Sequence, residues 1–198
     1  MKQIKVAITG NIGSGKSSFT KYLAEKGFPV LNADEISKEI LLNDNEIKTK
    51  IVKEFGEKVY SNGKPDKEYL AGYIFSDSQK LKKINSILHP SVIKKIDSII
   101  SQKYSNEPVI FIESALVYEA KIEKLFDYIV LITANEKIRL QRTVAGNKFS
   151  ANDFKKRNQN QLPDEEKISR ADFVFYNDSK LDELYKKADL LIFTLKSL

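Results

Sequence analysis

Gly10-Asn11-Ile12-Gly13-Ser14-Gly15-Lys16-Ser17 is the stretch on which the reading of this chain turns. It satisfies G-x-x-x-x-G-K-[ST] in full. Ile4 to Thr9, just before it, is a short β-rich run, and Phe19, Tyr22 and Leu23 recur at helical spacing in the segment that follows, Ser17 to Lys26. Strand, glycine loop and helix in that order set a ring of backbone N–H groups at a helix N-terminus, where an anion is favoured. Glycine is required because the loop needs unusual dihedrals and close approach of backbone to phosphate, and Gly13 and Gly15 supply both. The amides of Gly13, Ser14, Gly15, Lys16, Ser17 and Ser18 are thus expected to grip the polyphosphate of ATP. Lys16 would reach the β- and γ-phosphates, and the Ser17 hydroxyl would ligate Mg²⁺.

Gly27 reads as the stop of the first helix, and Val30-Leu31 as a second short strand ending at Asn32-Ala33-Asp34. Asp34 has two readings here. It can cap the helix running through Ile36, Ile40 and Leu41, or it can be the carboxylate that takes a proton from an acceptor hydroxyl. From Asp44 to Tyr104 the strand signal disappears and helical patches take over, joined by a turn at Asn62-Gly63-Lys64-Pro65. A helical lobe inserted between strands of the main sheet is expected over about 35–105. Tyr69, Tyr73 and Phe75 recur at helical spacing within it and read as core, and His89-Pro90 reads as a helix break.

Val109 to Ile112 and Tyr128 to Thr133 are continuous apolar runs suited to parallel strands buried on both faces. Asn135 to Val144 reads as a helix, and Ala145 to Leu162 as a polar, mobile stretch. Phe173 to Tyr176 is a last strand, and Leu181 to Leu195 a closing helix. Alternation of strands and helices makes the class α/β.

With 198 residues, 41% hydrophobic and 30% charged, the chain suits one globular domain carrying a small inserted lobe. No apolar run is long enough to cross a bilayer, and the absence of cysteine removes disulfides and thiolate metal sites, so a cytosolic protein without a membrane partner is expected. The net charge of +6 raises the question of nucleic acid, but lysines are interspersed with acids throughout, so a general anion preference is the inference and no nucleic-acid partner is expected. Arg139, Arg142, Arg157 and Arg170 all fall in the last third of a chain that otherwise uses lysine. Guanidinium matches phosphate oxygens with a planar donor fork, so the clustering is a candidate anion feature beside the plain alternative of surface solvation.

Among loop-bearing NTPases a GTPase is excluded: no aspartate lies three residues before a glycine, and Asn147-Lys148 leads to Ser150 rather than to a guanine-reading aspartate. Val109 to Glu113 is an imperfect version of the strand-ending acid of motor ATPases. A small-molecule kinase fits the length best. A nucleoside or nucleotide kinase, and a non-catalytic nucleotide- or nucleic-acid-binding protein, stay open beside it.

Ile8 to Ser17 closely resembles the opening of the dephospho-CoA kinase family, typically L-T-G-G-I-G-S-G-K-S. Asn32-Ala33-Asp34 is similar to that family's D-A-D, His89-Pro90 to its H-P, and Glu113 to Glu119 to its D-x-P-L-L-F-E. Arg142 falls at the arginine of Q-x-x-R, Arg157 and Gln161 match R-I-x-x-Q, and Ala171-Asp172 with Asn177 resembles A-D-x-V-I-x-N. The resemblance implies a three-layer P-loop NTPase fold with a five-stranded parallel sheet, a helical substrate lobe and a lid at about 143–162. It also implies MgATP-dependent phosphorylation of the 3′-hydroxyl of dephospho-coenzyme A. The sequence does not fix the oligomeric state, and a monomer is the favoured expectation. Asp34 would be the catalytic base, Arg142 would stand at the lid near the transferred phosphoryl, and Asn177 near the adenine. Thr9, Asp34, His89 and Glu119 would line the acceptor site.

Three departures stand out. Asn32 replaces the first acid of D-A-D and cannot act as a base, which leaves Asp34. Ala115 replaces the proline of P-L-L. Gly146 stands where a second lid arginine is expected, removing a cation, with Lys148 and Arg139 as the candidate replacements.

Overall fold

The computed structural model describes residues 3–74, 77–146 and 150–197; Phe75 and Lys148 of the sequence reading lie outside the described residues. It separates into two compact units, one of residues 1–32 with 104–198 and the other of residues 33–103.

The first unit is built on β1 (Ile4–Thr9), β2 (Val30–Asn32), β5 (Val109–Glu113), β6 (Tyr128–Thr133) and β7 (Phe173–Tyr176), all parallel, in the order β2-β5-β1-β6-β7. Val6 pairs with Phe111 on one side and Tyr128 on the other, so β1 has neighbours on both edges and its end opens at the point where strand order reverses. Crevices at such switch points, outside the strand C-termini, are where open α/β sheets bind ligands. Side chains alternate across the sheet. Val6, Ile8, Phe111, Val130 and Ile132 share one core with Phe19 and Leu23 of α1 (Lys16–Glu25) and with Leu184, Ala188, Leu191 and Leu195 of α9 (Leu181–Lys196). Ala7 and Ile129 face the other core with Val117 and Tyr118. Each fully buried aliphatic or aromatic side chain contributes about 1.5–3 kcal/mol, which is why these near-continuous apolar runs hold the centre. Helices α6 (Glu136–Ala145), α7 (Ala151–Gln159) and α8 (Asp164–Ile168) follow β6. α7 lies inside the polar stretch read as mobile, and a reciprocal capping box between Ser150 and Asp153 sets its start.

The second unit holds α2 (Ala33–Asn43), α3 (Asn45–Phe55), a hairpin of β3 (Tyr60–Ser61) and β4 (Lys64–Pro65), the one-turn α4 (Lys67–Tyr69), a π-helical turn Leu70–Ile74, and α5 (Ser78–Lys103). Four sequence expectations are corrected here. Tyr73 is not core: it is 42% exposed, with its ring stacked on that of Tyr69. The segment is not free of strands: Asn62 (φ 51°) and Gly63 (φ 75°) both take left-handed backbone, the turn that closes a two-residue hairpin loop. Pro90 does not break a helix but sits inside α5. It is exposed, while Ile84, Leu88, Val92 and Ile100 are buried on α5 to either side of it, so burial of one face outweighs the lost backbone bond. Nor is Asp34 an N-cap. α2 starts at Ala33, directly after β2, and Asp34 is an acidic residue of its first turn, where the helix dipole favours a negative charge.

His89 is half-buried on α5, and burial pushes its pKa below the ordinary 6.5, so the ring is neutral near pH 7. Among the described residues no helix is long and apolar enough to cross a membrane.

Candidate active site

The glycine loop leaves β1 and enters α1 with Gly13 at φ 78° and Gly15 at φ 101°. A Cβ at Gly13 would stand 2.4 Å from the Arg139 carbonyl, and one at Gly15 would stand 2.3 Å from Asn177 Nδ2. Both positions therefore require glycine for dihedral and for space. Lys16 is nearly buried, and its Nζ donates to the carbonyls of Gly10 (2.7 Å) and Asn11 (3.3 Å). The ammonium thus folds back over the loop it serves.

Ser17 is exposed at the first turn of α1, with its Oγ donating to Glu113 Oε1 at 2.8 Å. Thr20 Oγ1 donates to the other oxygen of the same carboxylate at 2.6 Å. Glu113, buried at the end of β5, is thus aimed at the serine from the neighbouring strand. A hydroxyl backed by a carboxylate is a hard oxygen set of the kind Mg²⁺ accepts, and this ion takes few protein ligands and completes its shell with phosphates and water. Among the described residues no cluster of three or more acidic or histidine side chains could hold a metal by itself. The residues present fit Mg²⁺ arriving with a nucleotide.

Asn177, after β7, is buried, and its Nδ2 donates to the Ser14 carbonyl at 2.8 Å. Its own carbonyl accepts from Arg142 NH1 at 2.7 Å, and Arg142 NH2 reaches the Ser179 carbonyl at 3.3 Å. Arg142 and Asn177 are therefore linked to each other and to the loop. Thr9 is fully buried, and its Oγ1 has no hydrogen-bond partner among the described residues. Asp34 and His89 belong to the other unit.

Arg139, 3% exposed, is a structural ion-pair partner. Its guanidinium meets Asp164 Oδ2 at 3.2 Å and Asn158 Oδ1 at 2.8 Å, and it donates to the carbonyls of Ala134 (3.0 Å) and Ile12 (3.3 Å). These acceptors occupy the cation proposed from sequence as a stand-in for the missing lid arginine. Burial pushes the Asp164 carboxyl above the ordinary carboxylate value, against the opposing pull of Arg139 and Lys167. Arg139→Met removes the compensating charge and is expected to cost about 3 kcal/mol. The loss should be larger at about pH 8 than at about pH 5, because an acid whose folded pKa is raised destabilises the fold only while it is ionised, and protonation relieves it. Urea midpoints at the two pH values check both the size and the sign.

Glu119 and Lys167 form a second buried pair, Nζ to Oε1 at 2.8 Å, and Lys167 has no exposed surface. Glu119 Oε1 also accepts from the Leu162 amide at 2.9 Å. Sequence reasoning missed Lys167, because its partners lie 48 and 156 positions away and no local pattern marks it. It weighed Glu113 as an imperfect strand-ending acid and as the start of the segment resembling D-x-P-L-L-F-E, without linking it to Ser17. The signal for Glu113 was its place at the end of the apolar run beside the loop strand.

The family model described as Dephospho-CoA kinase matches residues 4–183. The dephospho-CoA kinase of Fusobacterium nucleatum is 36% identical, over 93% of this chain and 94% of its own length. Among solved structures, a Thermus thermophilus protein superposes with a TM-score of 0.84 at 30% identity, covering 98% of this chain and 99% of that one. A dephospho-CoA kinase from Campylobacter jejuni superposes at 0.68 with 25% identity, covering 96% of each chain.

Proposed function

The chain belongs to the dephospho-CoA kinase family, and on that premise we propose how its residues divide the work of transferring the γ-phosphoryl group of ATP to the 3′-hydroxyl of dephospho-coenzyme A, the last step of coenzyme A synthesis. The observation that carries the reading is the glycine loop at the end of the central strand, with Lys16, Ser17 and Glu113 gathered on it.

In the reaction the acceptor 3′-oxygen forms a bond to the γ-phosphorus, the bond from that phosphorus to the β,γ-bridging oxygen breaks, and ADP leaves. Asp34 takes the proton from the 3′-hydroxyl as general base. The amides of Gly13 to Ser18 hold the β- and α-phosphates, and Lys16 swings from the Gly10 and Asn11 carbonyls to the β- and γ-oxygens. Ser17, oriented by Glu113, would hold Mg²⁺, which would supply charge neutralisation on the polyphosphate. Asn177, near the adenine, supports the ATP site through the Ser14 carbonyl, and Arg142, bonded to the Asn177 backbone carbonyl, stands at the lid near the transferred phosphoryl. Thr9, His89 and Glu119 serve the acceptor side as supports for its shape, His89 in its neutral form. We propose that the enzyme acts as a monomer in the cytosol.

Acceptor choice tests the reading. Steady-state assays with dephospho-coenzyme A, AMP and adenosine at fixed MgATP should favour the first by on the order of 10²-fold or more in kcat/KM, since a site built to pair with polar groups rejects acceptors that lack them. Phosphorylation of AMP or adenosine in preference would assign the chain to nucleotide or nucleoside kinase chemistry instead.

A further inference from the structure

The loop residue Asn11 stands where the family pattern has glycine, and its side chain is 3% exposed. Both ends of its amide are used. Oδ1 accepts from Lys167 Nζ at 2.7 Å, and Nδ2 donates to the Leu162 carbonyl at 3.2 Å. The next residue, Ile12, donates its backbone N–H to Gln161 Oε1 at 2.9 Å, and its carbonyl accepts from Arg139. The segment Gln161 to Lys167, which follows α7, is thus bonded to the loop at two successive residues. Lys167 is in turn fixed by Glu119, which also holds the Leu162 amide. None of these bonds uses the amides of Gly13 to Ser18 assigned to phosphate.

We infer that Asn11 and Lys167 are a positioning pair that holds the phosphate-binding loop in its binding shape by anchoring it to the chain segment leaving the lid. Lys16 rests on the Gly10 and Asn11 carbonyls and must leave them to reach phosphate. When it leaves, that limb of the loop loses both bonds. The bonds from Lys167 and Leu162 to the Asn11 side chain do not depend on Lys16, so the limb keeps its shape as the ammonium moves. A preorganised loop spares the nucleotide the ordering cost on binding. The effect of the pair therefore falls on ATP and not on the acceptor.

The inference rests on ATP as the nucleotide of the kinase reading, and its test is separable from that reading. Titration of the full-length protein with a fluorescent ATP analogue needs no acceptor and no turnover. Asn11→Gly, which restores the family residue, should weaken binding of the analogue about tenfold, the effect of losing a charge-assisted hydrogen bond together with its neighbour. In assays the KM for ATP should rise alike, while kcat and the KM for dephospho-coenzyme A stay within about twofold of wild type. Asn11→Ala removes the same two bonds without adding glycine's freedom, and it carries the same expectation if Asn11→Gly does not fold. An ATP affinity within about twofold of wild type in either folded variant overturns the inference, as does a parallel rise in both KM values. Failure of both variants to fold also overturns it, because the pair would then be a folding element. Weakened analogue binding alongside a wild type that does not phosphorylate dephospho-coenzyme A would leave the positioning role standing and remove the kinase reading.

Discussion

Asp34→Asn is expected to lower kcat for dephospho-coenzyme A by about 10²- to 10⁴-fold, the usual contribution of a positioned general base. The change keeps the size of the side chain but removes its negative charge and its ability to take a proton. Asp34 lies two residues past β2, exposed in the first turn of α2. An acid there is favoured by the helix dipole, a contribution of a few tenths of a kcal/mol that the variant gives up. ATP affinity should stay within about twofold of wild type, because uniform binding of the nucleotide does not involve the base. Asn32, at the other acidic position of the family pattern, cannot take over. Single-turnover measurements with ATP in excess separate the chemical step from release. A rate within about tenfold of wild type would remove Asp34 from the mechanism.

Lys16→Met is expected to reduce kcat by about 10²- to 10³-fold and, unlike Asp34→Asn, to weaken ATP as well. Its ammonium is nearly buried at the loop and lies within 2.7 Å of the Gly10 carbonyl, so its charge acts in a site with little water to screen it. Lys16→Arg should not restore activity. The planar guanidinium cannot follow the path of a compact ammonium threaded over loop carbonyls. Parallel ATP titrations and turnover assays on the two variants check this. Full activity in Lys16→Met would dissociate the loop from catalysis.

The five parallel strands were legible because each is a short, largely apolar run, and in β5 and β6 burial on both faces leaves a mark that needs no partner to be recognised. β1, β6 and β7 begin and end where the run of residues says they should. The loop was legible for a related reason: its requirements are local, and only glycine meets the dihedrals at Gly13 and Gly15. Local rules failed where a longer-range term outweighed them. Pro90 stays helical because apolar residues on both sides of it bury the same face of α5. Asp34 is two positions too far along to cap, since β2 passes into α2 without a connecting loop. The supports of the loop were the least visible part. Lys167, Arg139 and Asp164 are ordinary charged residues in sequence, and they become informative only when the fold removes water from them and sets them against Asn11, Ile12 and each other. The resemblance drew attention to Gln161, but nothing in the sequence tied its side chain to the Ile12 amide, 149 positions away.

Phosphorus NMR of one reaction mixture, holding the protein, MgATP and dephospho-coenzyme A, tests most directly whether this loop delivers phosphate to a ribose hydroxyl. A 3′-phosphomonoester resonance should grow one for one with ADP, and it should be lost with Lys16→Met. ADP accompanied only by inorganic phosphate, or dephospho-coenzyme A left unchanged, would contradict the assignment.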